Sequence, residues 1–205
     1  DDDEWPKSRK RLMDAAHYGA LAGATDIVFH PGSYFNRPPG EVLPKAIERL
    51  RGCVGELGAS GNSVRLRPET MGKPAMLGSL EDTLELSREV PGVEPCVDFA
   101  HLHARVGDGS LNTYAAWSRL LEAYAKTLGQ AALGRMHIHL SGIEYGPRWE
   151  KKHLQLDESD LDLSALLRAL RAYGCAGRIL CESPVMEDDA LKLKQLWEEM
   201  TTSLA

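Results

Sequence analysis

Five short apolar runs in this chain each end in a side chain that can bind a metal: His30 in IVFHPG, Glu69 in VRLRPET, Asp98 in PCVDFAH, His139 in MHIHLSG and Glu182 in RILCESP. Glu69, Asp98, His139 and Glu182 form a carboxylate, carboxylate, imidazole, carboxylate set, which suits a borderline divalent ion such as Zn2+ or Mn2+. One polar residue at a strand end is more often a satisfied loop anchor than a ligand. Four on consecutive strands point to a metal centre. His101, three residues after Asp98, and His153 in a later loop bring the candidates to seven. One ion takes about four protein ligands, so either some of the seven support the others from behind or several ions are bound.

The elements that must position these residues follow from the pattern between them. The candidates are 39, 29, 41 and 43 residues apart, about one strand, one helix and their loops each. Side chains at the C-terminal ends of successive parallel strands converge on one face of a barrel. SRKRLMDAAHYGALAGA reads as an amphipathic helix with Leu12, Ala15, Ala16 and Ala20 at helical spacing, followed by the strand TDIVFH. EVLPKAIERLRGCVGELGAS repeats the helical pattern at Leu43, Ile47, Leu50 and Val54, with Pro44 in its first turn, and leads to the strand SVRLRPET. LGSLEDTLELSREV is a helix opened by Ser79 and Asp82, a short relative of the capping box, before the strand VEPCVDFA. A glycine-rich loop at Gly107 and Gly109 precedes the long helix TYAAWSRLLEAYAKTLG and the strand RMHIHL. SGIEYGPRWEKKHLQL reads as a long polar loop, ESDLDLSALLRALRAYG as a helix, RILCES as a strand and MEDDALKLKQLWEEMTTSLA as a final helix.

Five strands fall short of the eight of a (β/α)8 barrel, which takes ~250 residues. The expected fold is therefore α/β, a (β/α)8 TIM barrel lacking its first strands, with residues 1–205 as one N-terminally incomplete domain. An open doubly wound sheet is the alternative. A chain of 205 residues, 43% hydrophobic and 26% charged, is ordinary for one globular domain with a real core. Its net charge of −6 gives no global attraction to nucleic acid, so DNA contact would need a local basic surface or bound cations. The four cysteines, Cys53, Cys96, Cys175 and Cys181, form no CxxC pair and read as buried thiols of a reducing compartment. No apolar stretch approaches the ~20 residues that cross a bilayer, and DDDEW is no signal peptide. The expected location is cytoplasmic, with no membrane or protein partner implied.

HPGSY, the DxxHxHAR stretch from Asp98 to Arg105, HxSG followed by a loop ending in KKH, and the closing CESP together resemble the endonuclease IV family of apurinic/apyrimidinic endonucleases (AP endonuclease family 2), from about Trp5 to Leu196. The SGIEYGPRWEKKHL loop resembles its archaeal-type branch. The resemblance implies a TIM barrel of the xylose-isomerase-like superfamily, binding two or three Zn2+, with Mn2+ the other suitable ion. It implies that His30 and Glu69 hold the first metal, together with a histidine from an earlier strand. Glu69 would bridge to a second metal completed by Asp98, His139 and Glu182, and His101 and His153 would bind a third. The family usually carries an aspartate two residues before the loop histidine, where this chain has Lys151; the nearby carboxylate is Glu150. The implied reaction is cleavage of damaged double-stranded DNA at abasic sites, with a metal-bridged hydroxide attacking phosphorus. Glu69 would orient the attacking water as the bridging catalytic carboxylate.

The remaining polar residues carry bland readings beside functional ones. His137 shares a strand face with His139 and suits a hydrogen bond to substrate or ligand better than direct ligation. His103 reads as a loop or supporting residue, and His17 as a surface residue. Arg105, Arg148, Lys151 and Lys152 could contact phosphates or simply be solvated. Tyr34 could stack on a base or sugar, or pack. Two rival functions use the same residues. A single-metal sugar isomerase or epimerase of the same superfamily needs the four inner ligands but not His30 and His153. A noncatalytic metal-binding relative would keep the ligands without turnover.

Overall fold

The computed structural model describes residues 2–147 and 149–202. The chain forms two compact units: residues up to Thr70 with Ala75–Cys96, and Met71–Pro74 with Val97 onward.

The first unit opens with α1 (Trp5–Leu21), β1 (Asp26–Phe29), α2 (Pro39–Ala59), β2 (Arg65–Pro68) and α3 (Leu80–Glu89). β1 and β2 pair in parallel, from Asp26 opposite Arg65 to Phe29 opposite Pro68. Leu12 and Ala16 of α1, Leu50, Cys53 and Leu57 of α2, and Leu66, Leu86 and Val93 form the core; each fully buried leucine contributes about 2 kcal/mol. Ala15, one of the four apolar positions read from the α1 pattern, is exposed. Pro44 lies inside α2 rather than in its first turn, because the helix starts at Pro39; Pro44 has no N–H to donate to the preceding turn. Ser79 and Asp82 form the expected reciprocal capping box at the head of α3.

The second unit runs from β3 (Cys96–Asp98), of which Val97 and Asp98 belong to it, through α4 (Phe99–Val106), α5 (Tyr114–Leu128), β4 (Met136–Leu140), β5 (Gly142–Gly146), β6 (Trp149–Leu154), α6 (Leu163–Ala172) and β7 (Gly177–Cys181) to α7 (Glu187–Thr202). The order β3–β4–β7 makes one sheet, with β4 and β7 parallel and Leu140 opposite Cys181. Trp117, Tyr124, Leu121 and Leu166 are fully buried, and Trp117 meets Phe99 edge to face at 5.5 Å. Among the described residues no sheet closes on itself, and no helix is long and apolar enough to cross a membrane.

Three stretches differ from the expected elements. The polar loop after β4 is an antiparallel hairpin of β5 and β6; its charged outer face hides the two-residue alternation. The stretch after Asp98 is helical rather than strand and loop. Asp98 caps α4, its side chain accepting from the His101 N–H at 2.7 Å, and Gly107, with φ 71°, ends the helix in the left-handed conformation. The D-x-x-H spacing is thus an N-cap and the third residue of the helix it starts. Likewise α6 begins at Leu163, not at Glu158, because Asp162 accepts from the Ala165 N–H and caps it.

Candidate metal centre

In the first unit, the parallel register of β1 and β2 carries on one residue beyond the strands. The Glu69 N–H donates to the Phe29 carbonyl at 3.0 Å, which sets His30 and Glu69 side by side, His30 Nε2 3.3 Å from Glu69 Oε2. The Glu69 side chain is only 5% exposed and that of His30 61%, so a buried carboxylate meets an open imidazole edge. Tyr34 is engaged elsewhere. Its hydroxyl donates to Asp82 of the α3 capping box, and its N–H to the Ala75 carbonyl at 3.1 Å. Of the two readings of Tyr34, the hydrogen bond to the capping box is the one that accounts for its hydroxyl.

In the second unit, His139 is the penultimate residue of β4 and Glu182 follows β7. The Glu182 N–H donates to the Leu140 carbonyl, which carries the β7 register past the strand end and brings Glu182 Oε1 to 3.1 Å from His139 Nδ1. His137, two residues earlier on β4, is buried with its ring 5.4 Å from that of His139, as the strand period requires. Beyond Glu182, Ser183 donates its hydroxyl to Asp189, a fully buried carboxylate that also accepts from the Leu156 N–H and pairs with Lys192 at 3.0 Å. Burial pushes Asp189 up, but the bonds from Ser183, Leu156 and Lys192 outweigh it and hold it ionised below the usual range. Ser183 belongs to the CESP run, but Asp189 was not distinguishable in the sequence, where it sits among the acidic residues that open α7.

His101 of α4 and His153 of β6 meet with their Nε2 atoms 3.3 Å apart. Ligand atoms of Asp98, His101 and His153 lie within 4.8 Å of one another. His153 Nδ1 is 3.1 Å from the Glu182 carbonyl, an acceptor only, so this nitrogen carries the proton and Nε2 offers its lone pair. His101 Nδ1 lies 3.5 Å from Asp98 Oδ2, which favours the same tautomer. A histidine held through one ring nitrogen by an acceptor, with the other turned to a cluster of donor atoms, is how metal-binding imidazoles are oriented. The donor set therefore fits a divalent ion.

The other candidates take different partners. His103, two positions from His101 on α4 and so on another face, sits fully buried against Tyr145, with Nε2 3.0 Å from Asp160 Oδ1. The Tyr145 hydroxyl donates to the other oxygen of Asp160 at 2.6 Å; burial first, and then this bond, push the phenol up to about 12. Asp160 is a bridge between helix and hairpin that no sequence signal indicated. Arg105 donates to the carbonyls of Met71 and Lys73 at 3.0 and 2.8 Å, anchoring that loop rather than facing solvent for a phosphate. Glu150 lies with Oε2 3.4 Å from His101 Nε2. Lys151 and Lys152 pair with Glu144, His17 is exposed, and Arg148 lies outside the described residues.

Comparison with known proteins places this geometry in context. A family model described as "xylose isomerase-like TIM barrel" matches residues 1–203. The uncharacterized protein MJ0133 of Methanocaldococcus jannaschii is 38% identical over 175 residues, covering 85% of this chain and 63% of that protein. A probable endonuclease 4 of Staphylococcus saprophyticus is 30% identical over 131 residues, 60% of this chain and 41% of that protein. The chain thus spans less than two thirds of the length of either relative. Among solved structures, 3-keto-D-glucoside 4-epimerase from E. coli superposes with a TM-score of 0.61 at 18% identity, over 91% of this chain and 70% of that one, a likeness of fold alone.

Proposed function

The chain belongs to the xylose isomerase-like TIM barrel family, and from that premise we propose that it serves a zinc-dependent endonuclease that hydrolyses a phosphodiester bond at abasic sites in double-stranded DNA. The observation that carries this reading is the pair of converging imidazoles, His101 and His153, which comes in addition to His139 and Glu182 in the same unit. One metal takes about four protein ligands, so ligands beyond the inner set favour two or three ions over one. The similarity to a probable endonuclease 4 supports the same direction.

In this reading His30 and Glu69 of the first unit are ligands, as are Asp98, His101, His139, His153 and Glu182 of the second. Bound divalent ions supply a nucleophile at neutral pH and charge stabilisation at the leaving oxygen. The chain's own residues do the rest. Glu69, buried and fixed through its backbone to β1, orients the attacking water. His137, buried beside His139, hydrogen-bonds the ligand shell or a substrate oxygen. The four free cysteines suit a reducing compartment such as the cytoplasm.

A second reading, a single-metal sugar epimerase, needs only the inner ligand set to which the His139–Glu182 pair belongs, and an epimerase shares the fold. Metal analysis of the full-length protein, combined with incision of a duplex carrying one abasic site, separates the two. Two or three ions with strand cleavage at the abasic site is the expected result. About one ion, no incision and epimerisation of a ketose would overturn it.

A further inference from the structure

Glu150 and His153 are three residues apart, a separation that points side chains to opposite faces of a regular strand. β6 is not regular. Across the hairpin, Ile143 lies opposite His153 and Glu144 opposite Lys152, but Tyr145 lies opposite Glu150. Lys151 is therefore the extra residue of a β-bulge, two residues against one. Directly opposed residues share a face, so His153 and Glu150 join Ile143 and Tyr145 on one face, while Glu144 and Lys152 take the other. The side chains agree. Lys151 Nζ reaches Glu144 at 3.0 Å and Lys152 Nζ at 3.5 Å, whereas Ile143 and Tyr145 pack on Ala100 and Ala104 of α4.

On that inner face Glu150 approaches His101, Oε2 to Nε2, at 3.4 Å, and the same Nε2 is 3.3 Å from His153 Nε2. Each of these two separations matches one ligand-to-ligand edge, about 3.3–3.4 Å, of a tetrahedral site with bonds of ~2.0–2.1 Å. The carboxylate is also seated by the backbone. The Gly72 N–H donates to Oε2 at 3.1 Å, and Lys73 Nζ lies 3.7 Å from Oε1. Gly72 is open to this approach because it lacks a side chain: a Cβ there would stand 2.1 Å from Glu150 Oε2. A glycine that makes room, an amide that orients one oxygen and a bulge that turns the side chain inward all converge on one carboxylate.

We propose that Glu150 is a metal ligand alongside His101 and His153, and that the bulge at Lys151 is the device that aims it. The inference rests on the multi-metal reading above, and its test keeps the two apart. Zn2+ content and Co2+ titration, followed by the d–d absorption of bound Co2+, are measured on the full-length protein and its variants, with circular dichroism as the check on folding. Glu150→Gln is expected to lose one ion per chain, or to weaken the corresponding Co2+ band at least ~10-fold, the scale on which even supporting residues act. Gly72→Ala, which displaces the same carboxylate, is expected to weaken that band too. Deleting Lys151 leaves Glu150 two residues from His153, on one face without a bulge, and is expected to retain the ion. A wild-type protein with several ions whose Glu150→Gln variant keeps them all at unchanged affinity would overturn the role of Glu150 and leave the multi-metal reading standing. Loss of the ion on deletion of Lys151 in a folded protein would overturn the role of the bulge. A wild-type protein that binds one ion or none would overturn both.

Discussion

His153 donates Nδ1–H to the main-chain carbonyl of Glu182 over 3.1 Å, while the Glu182 side chain holds His139 Nδ1 at 3.1 Å. One residue thus orients two histidines through two separate groups, one of which survives any change of side chain. Glu182→Gln is expected to lower affinity for the metal held with His139 by at least ~10–100-fold and to leave the ion held by His101 and His153 in place. Metal-by-metal titration with Co2+ checks this. Equal loss of both ions would show that the side chain, not the main chain, supports His153.

Glu69→Gln keeps the size of the side chain and removes its charge. The carboxylate is buried beside His30, so no other group can take its place without moving β2. Incision is expected to fall below detection, with at least one metal bound roughly 10–100-fold more weakly. Full activity in this variant would end the assignment of Glu69 to orienting the water.

Asp26 at the start of β1 carries a pH-dependent share of the first unit's stability. It is buried and accepts from Arg65 Nε at 2.8 Å and Arg67 Nε at 2.6 Å. Burial alone raises its pKa; the bonds from Arg65, Thr25 and Arg67 together outweigh burial and hold it far below the usual carboxylate range. A depressed folded value means that the contribution is fully present above the unfolded value, near 3.9, and is lost as pH falls below it. Arg67 is also buried and its other carboxylate partner is Glu94, 3.1 Å from Nη2, so Asp26→Asn removes one of two charge partners and is expected to destabilise by about 2 kcal/mol at pH 7. Urea unfolding at pH 7 and pH 3 should show the gap between wild type and variant narrowing in acid; a constant gap would contradict the charge pairing.

Gly142, in the HLSG run, sits where the backbone at the base of the hairpin approaches closely. A Cβ there would stand 2.3 Å from the Gln155 carbonyl oxygen, and backbone on that side cannot yield without moving Leu154 and its neighbour His153. Gly142→Ala is expected to destabilise by about 1–3 kcal/mol and to weaken metal at the His101–His153 pair. Thermal unfolding and Zn2+ content measure the two effects; an unchanged melting temperature would refute the close approach.

Much of this was legible along the chain. The helix faces around Leu12 and Leu50, the Ser79–Asp82 cap and the strand-end positions of His30, Glu69, Asp98, His139 and Glu182 all follow from period and local chemistry. Family membership agrees with the α/β reading. Arg105, Tyr34 and His103 each carried two readings in the sequence, because a residue type states what a group can bond, not which of several acceptors it will reach. Arg105 found the carbonyls of Met71 and Lys73, Tyr34 found Asp82, and His103 found Asp160.

The sequence by itself determined the inventory: which ligand types are present, and that most close a strand, since alternation and capping are encoded within a few residues of each other. Tertiary structure alone decided which ring nitrogen is free and which face each side chain takes. The first depends on acceptors such as the Glu182 carbonyl, 29 residues from His153. The second depends on pairing across a hairpin, where a single unpaired position, Lys151, reverses the side on which Glu150 emerges. Register is a property of two strands together, so no reading of one strand can contain it.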